Sequence, residues 1–201
     1  MHPAAAFSQS DRATLERLVS GRGFALITAA GPDGPVVAHA PVLLAGETLR
    51  FHVSRANRIN AVLEQAPRAL AVVTGADAYV SPDWYAAADQ VPTWNYVAAE
   101  IEGPARVLDA AGAAALLDDL SAHFEARLAP KPPWTRAKMT PVRFEAMLAG
   151  IVAWEMRVER LAGTWKLSQN KSPDEAARVA AALEALPDEG SQAVARLMRD
   201  L

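Results

Sequence analysis

The chain has 201 residues and a net charge of −3, from 20 Lys and Arg against 23 Asp and Glu. Its 51% apolar content excludes a disordered chain, and the absence of cysteine excludes disulfides, thiolate zinc sites and Cys nucleophiles. The slightly acidic balance argues against broad nucleic-acid affinity, which needs concentrated positive charge, but it leaves room for a local basic patch.

No run approaches the ~20 apolar residues of a membrane helix. The opening Met1-His2-Pro3-Ala4-Ala5-Ala6-Phe7 lacks the basic-then-apolar order of a signal peptide. A cytoplasmic location and a single domain over residues 1–201 are therefore expected.

In chain order, Asp11 to Val19 reads as a helix with Leu15, Leu18 and Val19 on one face. Strands follow at Phe24–Ala29, Val36–Leu44 and Thr48–Val53, separated by turns at 31–34 and 45–46. Pro41 implies an edge position or a bulge. Arg58 to Gln65 reads as a short helix, and Arg68 to Thr74 as a strand that Asp77 to Val80 can extend. Ser81 to Pro92 is a loop rich in Trp, Tyr, Pro and Asp. Tyr96 to Leu108 reads as one or two strands, with Gly103-Pro104 as a break. Ala110 to Leu128 is a helix that prolines at 130, 132 and 133 stop. Thr140-Pro141 opens another helix, to about Ala149. Val152, Trp154, Met156 and Val158 alternate with charged residues and predict one strand over 151–161. Ser172-Pro173-Asp174-Glu175 is a capping box with a first-turn proline. A last short helix carries Val194, Leu197, Met198 and Leu201, so residues from about 173 to 201 form a helical C-terminal segment. Early strands followed by helices suggest an α+β fold with a small barrel at its centre.

Three places can carry chemistry. Arg50, His52 and Ser54 share one face of the third strand, which runs into Ser54-Arg55-Ala56-Asn57 and a helix start suited to a phosphate. A capped helix beside solvated arginines explains the same residues. Val91-Pro92-Thr93-Trp94-Asn95-Tyr96, preceded by Ala78 to Tyr85, mixes flat apolar groups with amides, as a planar ligand requires; an aromatic cluster sealing a barrel end is the other reading. Gly163-Thr164-Trp165-Lys166-Leu167-Ser168-Gln169-Asn170-Lys171 concentrates hydrogen-bonding groups, at Lys166, Ser168, Gln169 and Asn170, between a strand and a capped helix, where an ordinary loop also fits. His2, His39, His52 and His123 form no metal-ligand spacing, and no metal site is expected. Neither a nucleophile elbow nor a Gly-rich phosphate loop is present. Lys131, Arg136, Lys138 and Arg143 surround Trp134, as solvated charges or as a contact to DNA or an acidic partner.

Together these motifs resemble the PaiB-type family of FMN-binding negative transcriptional regulators. The resemblance runs through Ala38-His39-Ala40-Pro41, Phe51 to Asn57, Ala78 to Tyr85, Pro92-Thr93-Trp94-Asn95-Tyr96, Gly150-Ile151-Val152 and Trp165 to Asn170. It implies an FMN-binding split β-barrel with flanking helices and a homodimer with flavin at the subunit interface. It further implies that Arg55 and Asn57, with His52 and Ser54 nearby, serve the FMN phosphate, and His39 is a further cofactor-binding candidate. Trp94, Asn95, Tyr96, Lys166, Ser168 and Gln169 then serve the ring or ribityl chain. An FMN-dependent oxidoreductase is the alternative, and no catalytic residue is assigned. A third reading is a flavin- or haem-binding redox sensor.

Overall fold

The computed structural model describes residues 2–201. Its strands are β1 (Ser8–Gln9), β2 (Phe24–Gly31), β3 (Gly34–Ala45), β4 (Thr48–Ser54), β5 (Arg68–Val80), β6 (Thr93–Val107), β7 (Ile151–Arg157) and β8 (Arg160–Lys166). The α-helices are α1 (Arg12–Arg22), α2 (Ile59–Gln65), α3 (Ala110–Glu125), α4 (Pro141–Leu148), α5 (Pro173–Glu184) and α6 (Glu189–Arg199). These elements make two compact units, and α1, β5, β6 and β8 each run from one into the other.

Val19–Val73 and Glu100–Leu161 form a closed barrel. Strand order is β5-β2-β3-β4-β7, and β7 pairs back to β6, the neighbour of β5. Leu26 faces His39 on β3 and Val72 on β5, Val42 faces Phe51, Phe51 faces Trp154, and Met156 faces Ala105. Alternate strand residues fill the interior, among them Ile27, Leu49, Phe51, Ile101, Trp154 and Met156, all essentially inaccessible. Each is worth roughly 1.5–3 kcal/mol of transfer free energy. Outside the barrel, α3 lays Ala113, Leu116 and Leu120 on Ala153, so β7 is buried on both faces there.

The other unit takes the described residues to Leu18, with Thr74–Ala99 and Ala162–Leu201. Its strands lie in the order β1-β8-β6-β5. The two-residue β1 pairs Ser8 with Thr164 and Gln9 with Gly163. The predicted capping box is formed at Ser172 and Glu175, and α5 and α6 bury Val179, Leu183 and Val194. Arg178 Nη2 donates to the Tyr85 carbonyl at 2.7 Å, tying α5 to the short 3-10 turn Pro82–Tyr85.

Two sequence expectations change. The strand foreseen over 151–161 is two strands, interrupted by a bend at Val158 and Glu159. Their N–H groups donate to the Glu47 and Glu102 carbonyls, both at 2.8 Å, in register with the β4–β7 and β6–β7 ladders. Conversely, Gly103-Pro104 does not break β6, which runs unbroken for 15 residues. Gly103 lies so close to β7 that an added Cβ would sit 1.7 Å from the Arg157 carbonyl oxygen, so the glycine permits close strand approach rather than a turn. No helix among the described residues is long and apolar enough to cross a membrane.

Candidate functional site

In the barrel unit, β4 delivers His52 and Ser54 and the following turn delivers Arg55 and Asn57. Arg55 Nε donates to the Ala149 carbonyl at 2.6 Å and Nη2 to the Ile151 carbonyl at 2.8 Å, while its backbone N–H reaches the Gly150 carbonyl. The guanidinium thus fastens the turn to the end of α4 and the start of β7. Asn57 Oδ1 accepts from the Ile59 N–H at 3.0 Å, within the first turn of α2. Ser54 is exposed, and its hydroxyl accepts only a long bond from the Ala56 N–H, 3.4 Å. His39 lies elsewhere on the barrel, exposed and stacked on Phe24 with centroids 6.3 Å apart.

The anchor of this turn is a residue that the sequence reading passed over. Asn60 is buried, accepts the Trp154 indole N–H at 3.0 Å, and donates from Nδ2 to the Ser54 and Arg55 carbonyls at 3.0 and 3.1 Å. A signal was available: Asn60 is the one polar residue between Ile59 and Leu63 on the apolar face of α2. His52 borders a second space beside α3 and α4, with its Nδ1 buried and unpartnered. Burial holds its pKa below the usual 6.5, so the ring is neutral near pH 7.

In the other unit, the start of β6 and the end of β8 bring Asn95, Lys166 and Ser168 together. Asn95 is 1% exposed and Ser168 3%. Asn95 Nδ2 donates to Ser168 Oγ at 3.0 Å and approaches the Met198 sulfur at 3.5 Å, while its Oδ1 is buried without a partner. Ser168 has φ +64°, a left-handed backbone that costs a non-glycine residue of order 1–3 kcal/mol. Lys166 Nζ donates to Thr93 Oγ1 and to the Trp94 carbonyl, both at 2.6 Å, and lies 5.8 Å from the Phe7 ring centroid. Partial burial, then repulsion from Lys171, lowers its pKa from the ordinary lysine value. Gln169 braces its own loop: Oε1 accepts from Leu167 N–H at 2.7 Å and Nε2 donates to the Trp165 carbonyl. Trp94 is largely exposed and meets Tyr79 edge-on, and Tyr96 is half-buried.

Asn95, Lys166 and Ser168 line a cavity of about 570 Å³ together with Phe7, Tyr85 and Lys171, whose ammonium lies 4.5 Å from the Tyr85 ring centroid. That volume is within the ordinary range of small-molecule sites. The sequence reading had Tyr85 and Lys171 in its aromatic and polar candidate segments; it did not bring Phe7 to them, because Phe7 lies more than 70 residues before Tyr85 in the chain.

Residues 1–160 match the sequence family described as "Putative FMN-binding domain". The chain belongs to this family. Protease synthase and sporulation protein PAI 2 of Bacillus subtilis (strain 168) is 25% identical over 198 residues, covering 96% of this chain and 94% of that protein. Two solved structures share the fold. The FAD and haem binding protein from Mycobacterium smegmatis superposes with a TM-score of 0.61 at 19% identity, covering 84% of this chain and 78% of its own. The flavocytochrome Anf3 from Azotobacter vinelandii gives 0.62 at 14% identity, covering 82% and 72%. The fold is a split β-barrel in the α+β class, and FMN is the cofactor that membership of this FMN-binding family assigns.

The residues present suit that cofactor. A flavin ring needs flat apolar walls and a polar edge that can both donate and accept. The cavity beside Asn95 offers Phe7 and Tyr85, an amide, a hydroxyl and an amine. Taken by itself, the barrel unit also carries groups of the kind a phosphate takes: the exposed Ser54 hydroxyl, and the Arg55 guanidinium, whose Nε and Nη2 hold the Ala149 and Ile151 carbonyls.

Proposed function

We propose that this chain binds FMN as a cytoplasmic homodimer, with flavin at the subunit interface, and works as a negative transcriptional regulator of the PaiB type. The observation that carries the ligand reading is the Asn95–Ser168 pair. Two buried polar side chains and a left-handed serine are held at the wall of an open polar cavity. An arrangement that costs stability in this way is typical of a ligand site.

In this reading Ser54, Arg55 and Asn57 serve the phosphate, with His52 on the same strand; His39, stacked on Phe24 elsewhere on the barrel, is a further cofactor-binding candidate. Asn95, Lys166 and Ser168 orient the polar edge of the ring, with Trp94, Tyr96 and Gln169 framing them. FMN supplies the electron chemistry when bound; the chain binds it, orients it and places a cation beside it through Lys166.

Titration with FMN, followed by flavin absorbance and by melting temperature, tests the site. Saturable binding should raise the melting temperature, by about 2.7 kcal/mol of added stability at 100 times the dissociation constant. Lys166→Met should weaken binding by tenfold or more while its circular dichroism stays native. A titration with neither spectral nor thermal response removes the proposal.

A flavin-dependent oxidoreductase is the alternative, because one observation weighs against direct reading of DNA. Cations from the stretch that could face DNA are engaged within the barrel unit: Lys131 with Glu125, Arg136 with Asp118 at 3.2 Å, and Lys138 with the Pro133 carbonyl at 3.2 Å. Two assays separate the readings. A regulator that reads DNA directly retards a fragment of its own promoter at low salt. A reductase bleaches its flavin on anaerobic mixing with NADH or NADPH.

A further inference from the structure

The cavity of about 570 Å³ beside Lys166 is also lined by Lys171, a cation that the flavin reading leaves unused. Lys166 Nζ is held by Thr93 Oγ1 and the Trp94 carbonyl, both at 2.6 Å. Lys171 Nζ is held by Gln90 Oε1 at 2.5 Å and sits 4.5 Å from the Tyr85 ring centroid. All of these partners are neutral, and an ammonium has three N–H donors. Lys166 therefore keeps one N–H free and Lys171 two. His2, whose Nδ1 accepts the Ala4 N–H at 3.1 Å, adds Nε2 as a further donor at the same cavity.

Among the described residues, Asp89 is the one carboxylate in the lining. Glu175 feels the charge of Lys171, but its carboxylate is engaged by the Ser172 N–H and hydroxyl and does not line the cavity. Two ammonium groups against one carboxylate leave one positive charge, which a monoanion cancels and a dianion overshoots. Partial burial, with repulsion from Lys171, already lowers the Lys166 pKa, and an anion shared by the two lysines relieves that repulsion. Tyr85 is the second observation. It lines the cavity and is 2% exposed, yet its hydroxyl bonds to no other described residue. Nor is that oxygen sealed, since the sealed side-chain atoms without partners are His52 Nδ1 and Asn95 Oδ1. Buried tyrosines usually find a partner for the O–H, so a hydroxyl that reaches a cationic cavity without one is placed to meet an anion.

We propose that this cavity binds a small organic monocarboxylate, its charged group shared by Lys171, the Tyr85 hydroxyl and the free N–H of Lys166. The proposal goes beyond flavin binding: the site is read from its own lining and stands whether or not flavin is bound. With flavin bound, the carboxylate lies beside the ring and not in its place. A cavity of about 150 Å³ holds benzene, and at that scale a three-ring flavin head leaves room here for a small second molecule.

Calorimetry and thermal melts of the full chain use three probes: benzoate, its neutral isostere benzamide, and the dicarboxylate phthalate. Each is titrated into flavin-free protein and into protein saturated with FMN or with riboflavin. Benzoate is expected to bind saturably, one per chain, and to raise the melting temperature in all three forms. Benzamide should bind at least tenfold more weakly and phthalate several-fold more weakly. Lys171→Gln should cost benzoate tenfold or more and Tyr85→Phe threefold or more, both with native circular dichroism, while Lys171→Arg keeps most of the affinity. No saturable benzoate binding overturns the proposal, as does benzamide bound equally well or a benzoate affinity that neither Lys171→Gln nor Tyr85→Phe lowers. Phthalate bound as tightly as benzoate overturns the match to a single charge. Displacement of benzoate by FMN but not by riboflavin shows that the lysines hold the flavin phosphate, and displacement by both shows that the ring fills the cavity; either result overturns a separate carboxylate. Protein that takes up FMN but no benzoate sinks this proposal alone, and protein that takes up benzoate but no FMN sinks the flavin reading alone.

Discussion

Asn60 shows how a single side chain can hold a functional turn in place. It accepts from the buried Trp154 indole and donates to two carbonyls of the Ser54-Arg55 turn. Replacing it with alanine leaves the indole N–H and two carbonyls short of partners. Unsatisfied buried groups cost about 1–3 kcal/mol each, and relaxation of the turn toward water offsets part of that. Asn60→Ala should therefore lower the urea midpoint by an amount equivalent to about 1–3 kcal/mol, with the m-value unchanged. A neutral result would mean that Trp154 and the turn find other partners. His52 carries a different prediction. Burial sets its folded pKa below the 6.5 of the unfolded chain. Between those two values the unfolded chain holds a proton that the folded chain refuses, so stability falls as pH falls through the window and is intact above it. Melting temperatures of wild type and His52→Leu should differ in slope below about pH 6.5, with the variant flatter. Parallel curves would show that His52 does not titrate differently on folding. Ser54, Arg55 and Asn57 were legible in the sequence as one cluster, because they fall within four residues of each other. That Arg55 is tied to carbonyls near residue 150 was not, because that contact spans more than 90 residues.

At the level of elements, periodicity carried most of the fold. The alternation in β4 and β7, the capping box of α5 and the proline-opened α4 could all be read locally, since each is a near-neighbour pattern. What failed was local grammar that tertiary contacts override. Gly103-Pro104 reads as a break, yet β6 passes straight through it, since the missing Cβ is what lets the Arg157 carbonyl approach. The interruption after β7 was hidden for the reverse reason. The 151–161 run has no Gly or Pro, and the bend at Val158 and Glu159 sits within an ion-pair cluster whose members lie far apart in the sequence. In that cluster Arg68 bonds Glu159 at 2.7 Å, Arg157 bonds Glu159 at 2.6 Å, and Arg160 bonds Glu100 at 2.8 Å and also Glu102. Hydrogen bonds from Arg160 and Arg68 hold the carboxyls of Glu102 and Glu159, respectively, below the usual carboxylate range. The consequence is specific to the strand pair. Gly103→Ala must push β6 away from Arg157, and overpacking of this kind costs roughly 1–3 kcal/mol. Ala105→Ser, two residues along on the same strand face, brings no such backbone clash. Chemical denaturation of the two variants should place Gly103→Ala well below Ala105→Ser; the opposite order would locate the constraint elsewhere.

For the whole molecule, the decisive question is whether cofactor and partner are linked. Phe24, Val37 and Val107 of the barrel unit are exposed at 52%, 42% and 54%, and large exposed apolar groups mark interaction surfaces when they gather. A two-fold pair is the commonest way for identical chains to cover such groups. If FMN lies at that interface, it binds the dimer more tightly than the single chain. Linkage then requires the reciprocal effect: FMN must tighten the dimer, and the dimer must tighten FMN, by the same factor. Sedimentation should therefore show a species of twice 21.4 kDa that persists to lower protein concentration when FMN is present. Diluting the flavin-loaded protein should release fluorescent FMN steeply, over the concentration range in which the dimer dissociates. A flavin dissociation constant that stays the same on both sides of that range would place FMN within one chain. It would remove the interface from the proposal while leaving the Asn95, Lys166 and Ser168 site in force.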